Sequence, residues 1–311
     1  MKARQIAYQA AALAAAAAIA WFFVSNAAAN LEARRIASGF GFLSREAGFE
    51  IGEKFFLTYS AADSYLRALA VGVLNTLGVA LIGIVAATVL GAAIGLSRLS
   101  PNFLLRSLGG AYVEFFRNVP LLVQLFFWYA LITEGLPHPR EALSPLPGVF
   151  LSNRGVLLPS LEGVPRLEGF NFVGGTAITP EFAALLAGLA VYTAAFIAEI
   201  VRAGVLAIER GQWEAAQAVG LTRGQALRHV IVPQALRVVV PPLASQYLNL
   251  TKNSSLAVAI GYPDLVSIAN TTMNQTGQAI EGIAIIMGVY LTISLSISAF
   301  MNWYNARISL R

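Results

Sequence analysis

Residues 214–236 read EAAQAVGLTRGQALRHVIVPQAL, a polar and basic interruption between two apolar runs, each long enough to cross a membrane. The spacing predicts helix, turn, helix. A first helix passes through Trp213, Glu214, Ala215, Ala216 and Val219 and stops at Gly220, the residue type that most easily takes a left-handed helix-closing conformation. Thr222 then offers a side-chain oxygen for the next N-cap, and Gln225 three residues on completes a capping box. Ala226, Leu227, Val230 and Ile231 share one face of the second helix, with Arg223 and Arg228 elsewhere. Pro233, which cannot donate to the backbone ladder, marks the hand-over to the next apolar run.

Composition sets the class. Hydrophobic residues make up 57% of the 311 and charged residues only 12%, with a mean hydropathy of +0.67, which points to a membrane protein rather than a soluble domain. The net charge of +5 would suggest nucleic acid in a soluble chain. Here many basic residues stand at the ends of apolar runs, so membrane topology accounts for them and no nucleic-acid partner is expected. Cysteine is absent, which excludes disulfides and thiolate metal sites.

Outward from the central stretch, apolar runs fall at 6–24, 69–96, 111–133, 181–204, 238–260 and 280–304, giving an all-helical chain of about six spans. The N-terminal segment, 1–26, is read as an uncleaved anchor. Ala27-Ala28-Ala29 resembles a signal-peptide cleavage site, but the run is long and ends in bulky Trp21-Phe22-Phe23. Residues 27–68 follow as an extracytoplasmic segment, and 69–305 form the core. Within that core, 134–179 is a Pro- and Gly-rich external loop in which His138 is a solvated residue, and 205–236 is the cytoplasmic loop. Gly91 and Gly95 make a small-residue motif that lets helices approach closely. Pro241-Pro242 is expected to kink or unwind its run, and Glu199 and Arg202, three apart on one helix face, are expected to pair.

Several of these phrases carry a resemblance. Glu214-Ala215-Ala216, three residues, Gly220, nine residues, then Val230, Val232 and Pro233 resemble the "EAA loop" of ABC importer permeases, with two valines where isoleucine and leucine are more usual. The phrases YTAAFIAEIVRAG around Glu199, EFFRNVPLLVQ around Arg117 and GFNFVGG ahead of the run at 181 are similar to the polar and general L-amino-acid branch of that family. The resemblance covers roughly 69–305 and implies a five-helix permease core, to which the N-terminal helix is an addition. It also implies that Glu214, Ala215, Ala216, Gly220 and Pro233 couple the chain to a dimer of ATPase subunits. A second permease chain, identical or homologous, and a periplasmic amino-acid-binding protein complete the implied assembly. The mechanism implied is alternating access driven by ATP on the partner.

The chain carries no G-x-x-x-x-G-K-[ST] phosphate loop, no paired-His zinc motif and no G-x-S-x-G elbow, so no enzyme, metal site or bound cofactor is expected. A secondary transporter is the alternative, but no internal repeat relates the two halves and such a protein has no use for an EAA loop. The candidate substrate path holds Lys252, Asn253 and Ser254, together with Glu199 and Arg202. Lys252 has two readings: it lines the path and attracts a substrate carboxylate, or it neutralises an acid such as Glu199 on a neighbouring span.

Orientation follows from charge. Lys2, Arg4, Arg98, Arg106, Arg210, Arg223, Arg228, Arg237, Arg307 and Arg311 share one side if the N-terminus is cytoplasmic in a bacterial inner membrane. Arg34, Arg35, Arg45, Lys54, Arg67, Arg140, Arg154 and Arg166 fall on the other side, but in the two longer segments, where the rule carries less weight. Cysteine-labelling reagents should therefore reach a site at Arg223 only from the cytoplasm and one at Pro147 only from outside. The reverse accessibility would overturn this orientation.

Overall fold

The computed structural model describes residues 2–33, 38–160, 163–168 and 171–309. Arg34, Arg35 and Arg311 of the charge reading, and Gly169 and Phe170 of the GFNFVGG phrase, lie outside them. Among the described residues there are ten α-helices. The first five are α1 (Lys2–Ala33), α2 (Tyr65–Ser97), α3 (Phe103–Asn118), α4 (Leu121–Thr133) and α5 (Pro180–Leu206). They are followed by α6 (Arg210–Ala218), α7 (Arg223–Ala226), α8 (Val232–Asn253), α9 (Leu265–Thr276) and α10 (Ala279–Ser309). Among the described residues four stretches are long and apolar enough to span a bilayer: Ile6–Ala27, Tyr65–Ser97, Pro180–Leu206 and Ala279–Arg307. A fifth is possible if α3 and α4 count as one span, and the pair is bent by 105°.

That bend departs from the sequence reading, which ran 111–133 as one helix start and span. Pro120 has no N–H, and Val119 before it adopts an extended ψ of 125°, the conformation a following proline favours. The freed carbonyls are met locally: Gln124 Nε2 donates to Phe116 O and Val119 O, both at 3.0 Å. The run at 238–260 also differs from expectation. It is not among the apolar spans; α8 ends at Asn253 and a 3-10 turn over Ser254–Ile260 replaces its last part. Nor do Pro241 and Pro242 unwind α8. Both are exposed, while Val239, Val240 and Leu243 bury the opposite face in the core and hold the helix. The distortion comes earlier, in a π-turn over Leu227–Ile231 that closes as Val232 N–H reaches back to Leu227 O. Proline at 233 follows, and a widened turn of this kind relieves its ring against the preceding carbonyls.

Helix α5 is the centre of the core. Its Ala184, Leu185, Leu189, Ala194, Ala195, Ile197 and Ala198 are wholly buried. Three neighbours meet it at glycines. A Cβ at Gly91 of α2 would sit 2.7 Å from Ile197 Cβ and 2.8 Å from Ala194 O, and one at Gly95 would sit 2.7 Å from Ala198 O. Gly188 of α5 receives Leu125 of α4, and Gly204 receives Val239 of α8.

The 27–68 segment is less separate than the sequence suggested. From 38 onward it lies as a strap across helix ends, burying Phe42, Ala47, Ile51 and Tyr59 against Tyr65 and Leu69 of α2 and Leu265 and Ile268 of α9. Asn75 Nδ2 of α2 donates to Glu53 O of the strap and to Pro263 O before α9, each at 2.9 Å. The 134–179 segment carries short strands that the sequence reading took as loop. β1 (Leu143–Leu146), β2 (Val149–Ser152), β3 (Gly155–Leu158) and β6 (Thr176–Ile178) form an antiparallel sheet in the order β1-β2-β3-β6. β4 (Arg166–Glu168) and β5 (Asn171–Val173) make a separate hairpin. In the sheet Leu146 pairs with Val149 across a turn where Gly148 has φ +77°, a conformation glycine adopts without strain.

Because Gly91 has no room for a side chain, Gly91→Leu should force α2 from α5 and destabilise the chain by about 1–3 kcal/mol. Thermal unfolding of the purified protein measures this against Gly110→Leu, where an added Cβ meets nothing within 4 Å. Equal melting of the two variants would remove the close-packing role.

Candidate functional site

The central loop folds as its sequence spelled out. α6 closes in a paired helix stop: Gly220 N–H bonds Gln217 O at 2.9 Å and Leu221 N–H bonds Ala216 O at 3.1 Å, with Gly220 at φ +81°. The Thr222 capping box is present in both directions, Thr222 N–H to Gln225 Oε1 at 2.9 Å and Gln225 N–H to Thr222 Oγ1 at 3.4 Å. Gln234 Nε2 of α8 donates to Gln212 Oε1 of α6 at 3.0 Å, fastening the loop's ends together. Ala216, Ala226 and Ile231 are buried and form its inner face. Glu214, Ala215, Gly220 and Pro233 are exposed, and Val219 is 74% exposed. The five expected coupling residues thus divide: Ala216 holds the loop together, and the other four lie on its surface.

A second polar region lies where α2, α3 and α5 meet. Glu199 pairs with Arg202, as the spacing implied; Arg202 Nε also reaches Glu199 Oε2 at 3.3 Å. Arg98, at the end of α2, pairs with the same carboxylate, a partner the sequence reading missed. Nothing in local spacing signals a bond across 101 positions. A cavity of about 410 Å³ opens beside this triad, lined by Arg98, Glu114, Arg117, Asn118, Phe196 and Glu199 among others. The Arg117 guanidinium lies over the Phe196 ring, 5.1 Å from its centre, and makes no ion pair among the described residues. Tyr112 of α3 fixes the cavity wall by donating to Val191 O of α5 at 2.8 Å. The sequence had placed Glu114, Arg117 and Asn118 before Pro120, and the bend there is what directs α3 along α5.

The rest of the expected path is elsewhere. Lys252 is exposed, has no ion pair among the described residues and does not line this cavity. Its pairing with Glu199 does not form, because Arg98 and Arg202 already hold both oxygens of that carboxylate. Asn253 is half-buried. Ser254 is fully buried and donates to Thr251 O at 2.7 Å, as a helix-end hydroxyl does. Among the described residues no group of three or more His, Asp or Glu could hold a metal ion.

A bundle of apolar helices with an ordered polar loop beside it defines the class, a multi-pass membrane protein. The family model for "Binding-protein-dependent transport system inner membrane component" matches residues 83–310, and the chain belongs to that family. It is 46% identical to a putative amino-acid ABC transporter permease protein of Escherichia coli (strain K12), over 94% of this chain and 90% of that one. It is 41% identical to the general L-amino acid transport system permease protein of Rhizobium johnstonii, over 99% of this chain and 93% of that one. Among solved structures, an amino acid ABC transporter with histidines aligns over 78% of this chain and 95% of its own at a TM-score of 0.60 and 27% identity.

Glu199→Gln should leave the Arg98 and Arg202 guanidiniums facing each other without a counter-charge. The carboxylate is about a third exposed, so the expected loss, about 1–3 kcal/mol, lies between the surface and buried limits for such pairs. Chemical unfolding in detergent should show it, with part of the loss recovered in Glu199→Gln/Arg98→Met. An unchanged midpoint for the single variant would mean the triad does not hold α2 to α5.

Proposed function

We propose that this chain is the permease subunit of an ATP-driven importer that carries L-amino acids into the cytoplasm by alternating access. The observation that carries the reading is the loop at 214–236: a short helix closed by a paired stop and exposing Glu214, Ala215 and Val219, followed by a second helix opened by a capping box. A flexible loop would absorb a push; a helix closed by its C-terminal stop and fastened to α8 through Gln212 transmits it. With the N-terminus cytoplasmic, this loop faces the compartment that holds ATP and docks on a separate ATPase dimer. A second permease chain completes the pathway, and a periplasmic binding protein delivers the solute. A secondary transporter leaves this docking helix without a role.

The Arg117 cavity suits an amino-acid zwitterion. Glu199 is already neutralised by two arginines, which leaves Arg117 to receive a carboxylate and Glu114 to receive an ammonium group. The volume of about 410 Å³ is at the small-ligand end of binding cavities.

Glu214→Lys should insert and assemble normally but lower uptake at least tenfold, since the loop surface acquires the wrong charge. Arg117→Met should retain the ATPase on co-purification and lose uptake. Uptake of radiolabelled amino acids into cells expressing each variant reads both. A parental rate for Glu214→Lys would refute coupling through this loop, and one for Arg117→Met would refute the carboxylate site.

A further inference from the structure

A second cavity, of about 380 Å³, lies at the opposite end of the helices, between the strap, the start of α5 and the approach to α9. Glu50 and Glu53 of the strap and Glu181 of α5 line it, with Thr179, Ser267 and Thr271 among the rest and no lysine, arginine or histidine. The three carboxylates are not equivalent. Glu50 is exposed, pairs with Lys54 at 3.4 Å and accepts from Ala61 N–H at 3.1 Å. Glu181 accepts from the Tyr129 hydroxyl at 3.1 Å and has no cationic partner among the described residues.

Glu53 is the informative one. It is only 5% exposed, one carboxylate oxygen takes the Thr179 hydroxyl, and the other, Oε1, is buried with no hydrogen-bond partner. An unfilled acceptor of this kind costs about 1–3 kcal/mol, more when the group is charged. Burial pushes the Glu53 carboxyl above the usual carboxylate range, and the neighbouring charge of Glu181 pushes the same way. A buried acid beside a second acid, with one oxygen orphaned and no ion pair on either Glu53 or Glu181 among the described residues, describes a site short of one positive charge and one donor.

We propose that this cavity is a binding site for a small organic cation, recognised through a primary ammonium group held by Glu53 and Glu181. An ammonium group supplies the missing charge and three donors in one. Among the described residues no group of three or more acids is placed to hold a metal ion. Net negative charge is repelled here, so lysine, which is cationic and carries a side-chain ammonium remote from its carboxylate, fits, and glutamate, with its second carboxylate, does not. The strap builds this site, because it carries Glu53 and is anchored by Asn75 through the Glu53 and Pro263 carbonyls. The proposal stands on the cavity and not on the transport reading.

The test uses the full chain in lipid nanodiscs, labelled with a diazo reagent that esterifies carboxyl groups and leaves amines untouched, and read at each carboxyl by peptide mass spectrometry. Methylammonium and L-lysine should each cut labelling of Glu53 and Glu181 at least threefold relative to sodium chloride at equal ionic strength, and L-glutamate should not. Equal protection by sodium chloride would reduce the effect to charge screening and overturn the proposal. So would a Glu53 that takes no label without ligand, since the cavity would then be closed to solutes. In a second arm, Glu53→Gln and Glu181→Gln should each weaken L-lysine binding at least tenfold, while Arg117→Met protects both carboxyls as the parent does. Unchanged affinity in both glutamine variants would sink the site, whatever the outcome of the uptake measurements.

Discussion

The close approach of α2 to α5 is the constraint on which the rest of the structure depends. In a bilayer, apolar side chains gain little by leaving lipid for one another, so helices associate by packing and by hydrogen bonds. Gly91 and Gly95 bring the α2 backbone against Ala194, Ile197 and Ala198 with no space for a Cβ. Gly188 and Gly204 repeat the device for α4 and α8. With these contacts set, α2, α4 and α8 are packed on α5, and Arg98 is brought to Glu199 at the same interface.

Several polar side chains inside this bundle donate to partners that are already fixed, although the amide oxygens of Gln124 and Asn75 stay unfilled. Gln124 serves the carbonyls released at Pro120. Asn75 joins the strap to the approach of α9, and Glu199 answers two arginines. Lys252, by contrast, is exposed on this chain and has no ion-pair partner among the described residues. Other unmatched groups are informative. Arg117 has no counter-charge and Glu53 has an unfilled oxygen, and each borders a cavity.

The central loop shows local chemistry prevailing over its surroundings. Its stop at Gly220, its cap at Thr222 and Gln225 and its hand-over at Pro233 are satisfied within a few residues of themselves. Such an element keeps its shape while few of its side chains are buried.

Signals of short range were therefore legible from the residues alone: the membrane class, the extents of α2, α5 and α10, the loop's two helices, the Glu199–Arg202 pair and the small-residue motif. Each rests on a period, a composition or a spacing of a few positions. The sheet at 143–178 was not legible, because strands of three or four residues are too short for alternation to register. Neither was the course of α8 through Pro241 and Pro242, which the burial of Val239, Val240 and Leu243 decides. Tertiary structure alone joined Arg98 to Glu199, took Lys252 away from that carboxylate and laid the strap over α2 and α9. The physical reason is the same in each case. These contacts join segments far apart in the chain, and their energies depend on depth, burial and competition for one partner, none of which a local pattern encodes.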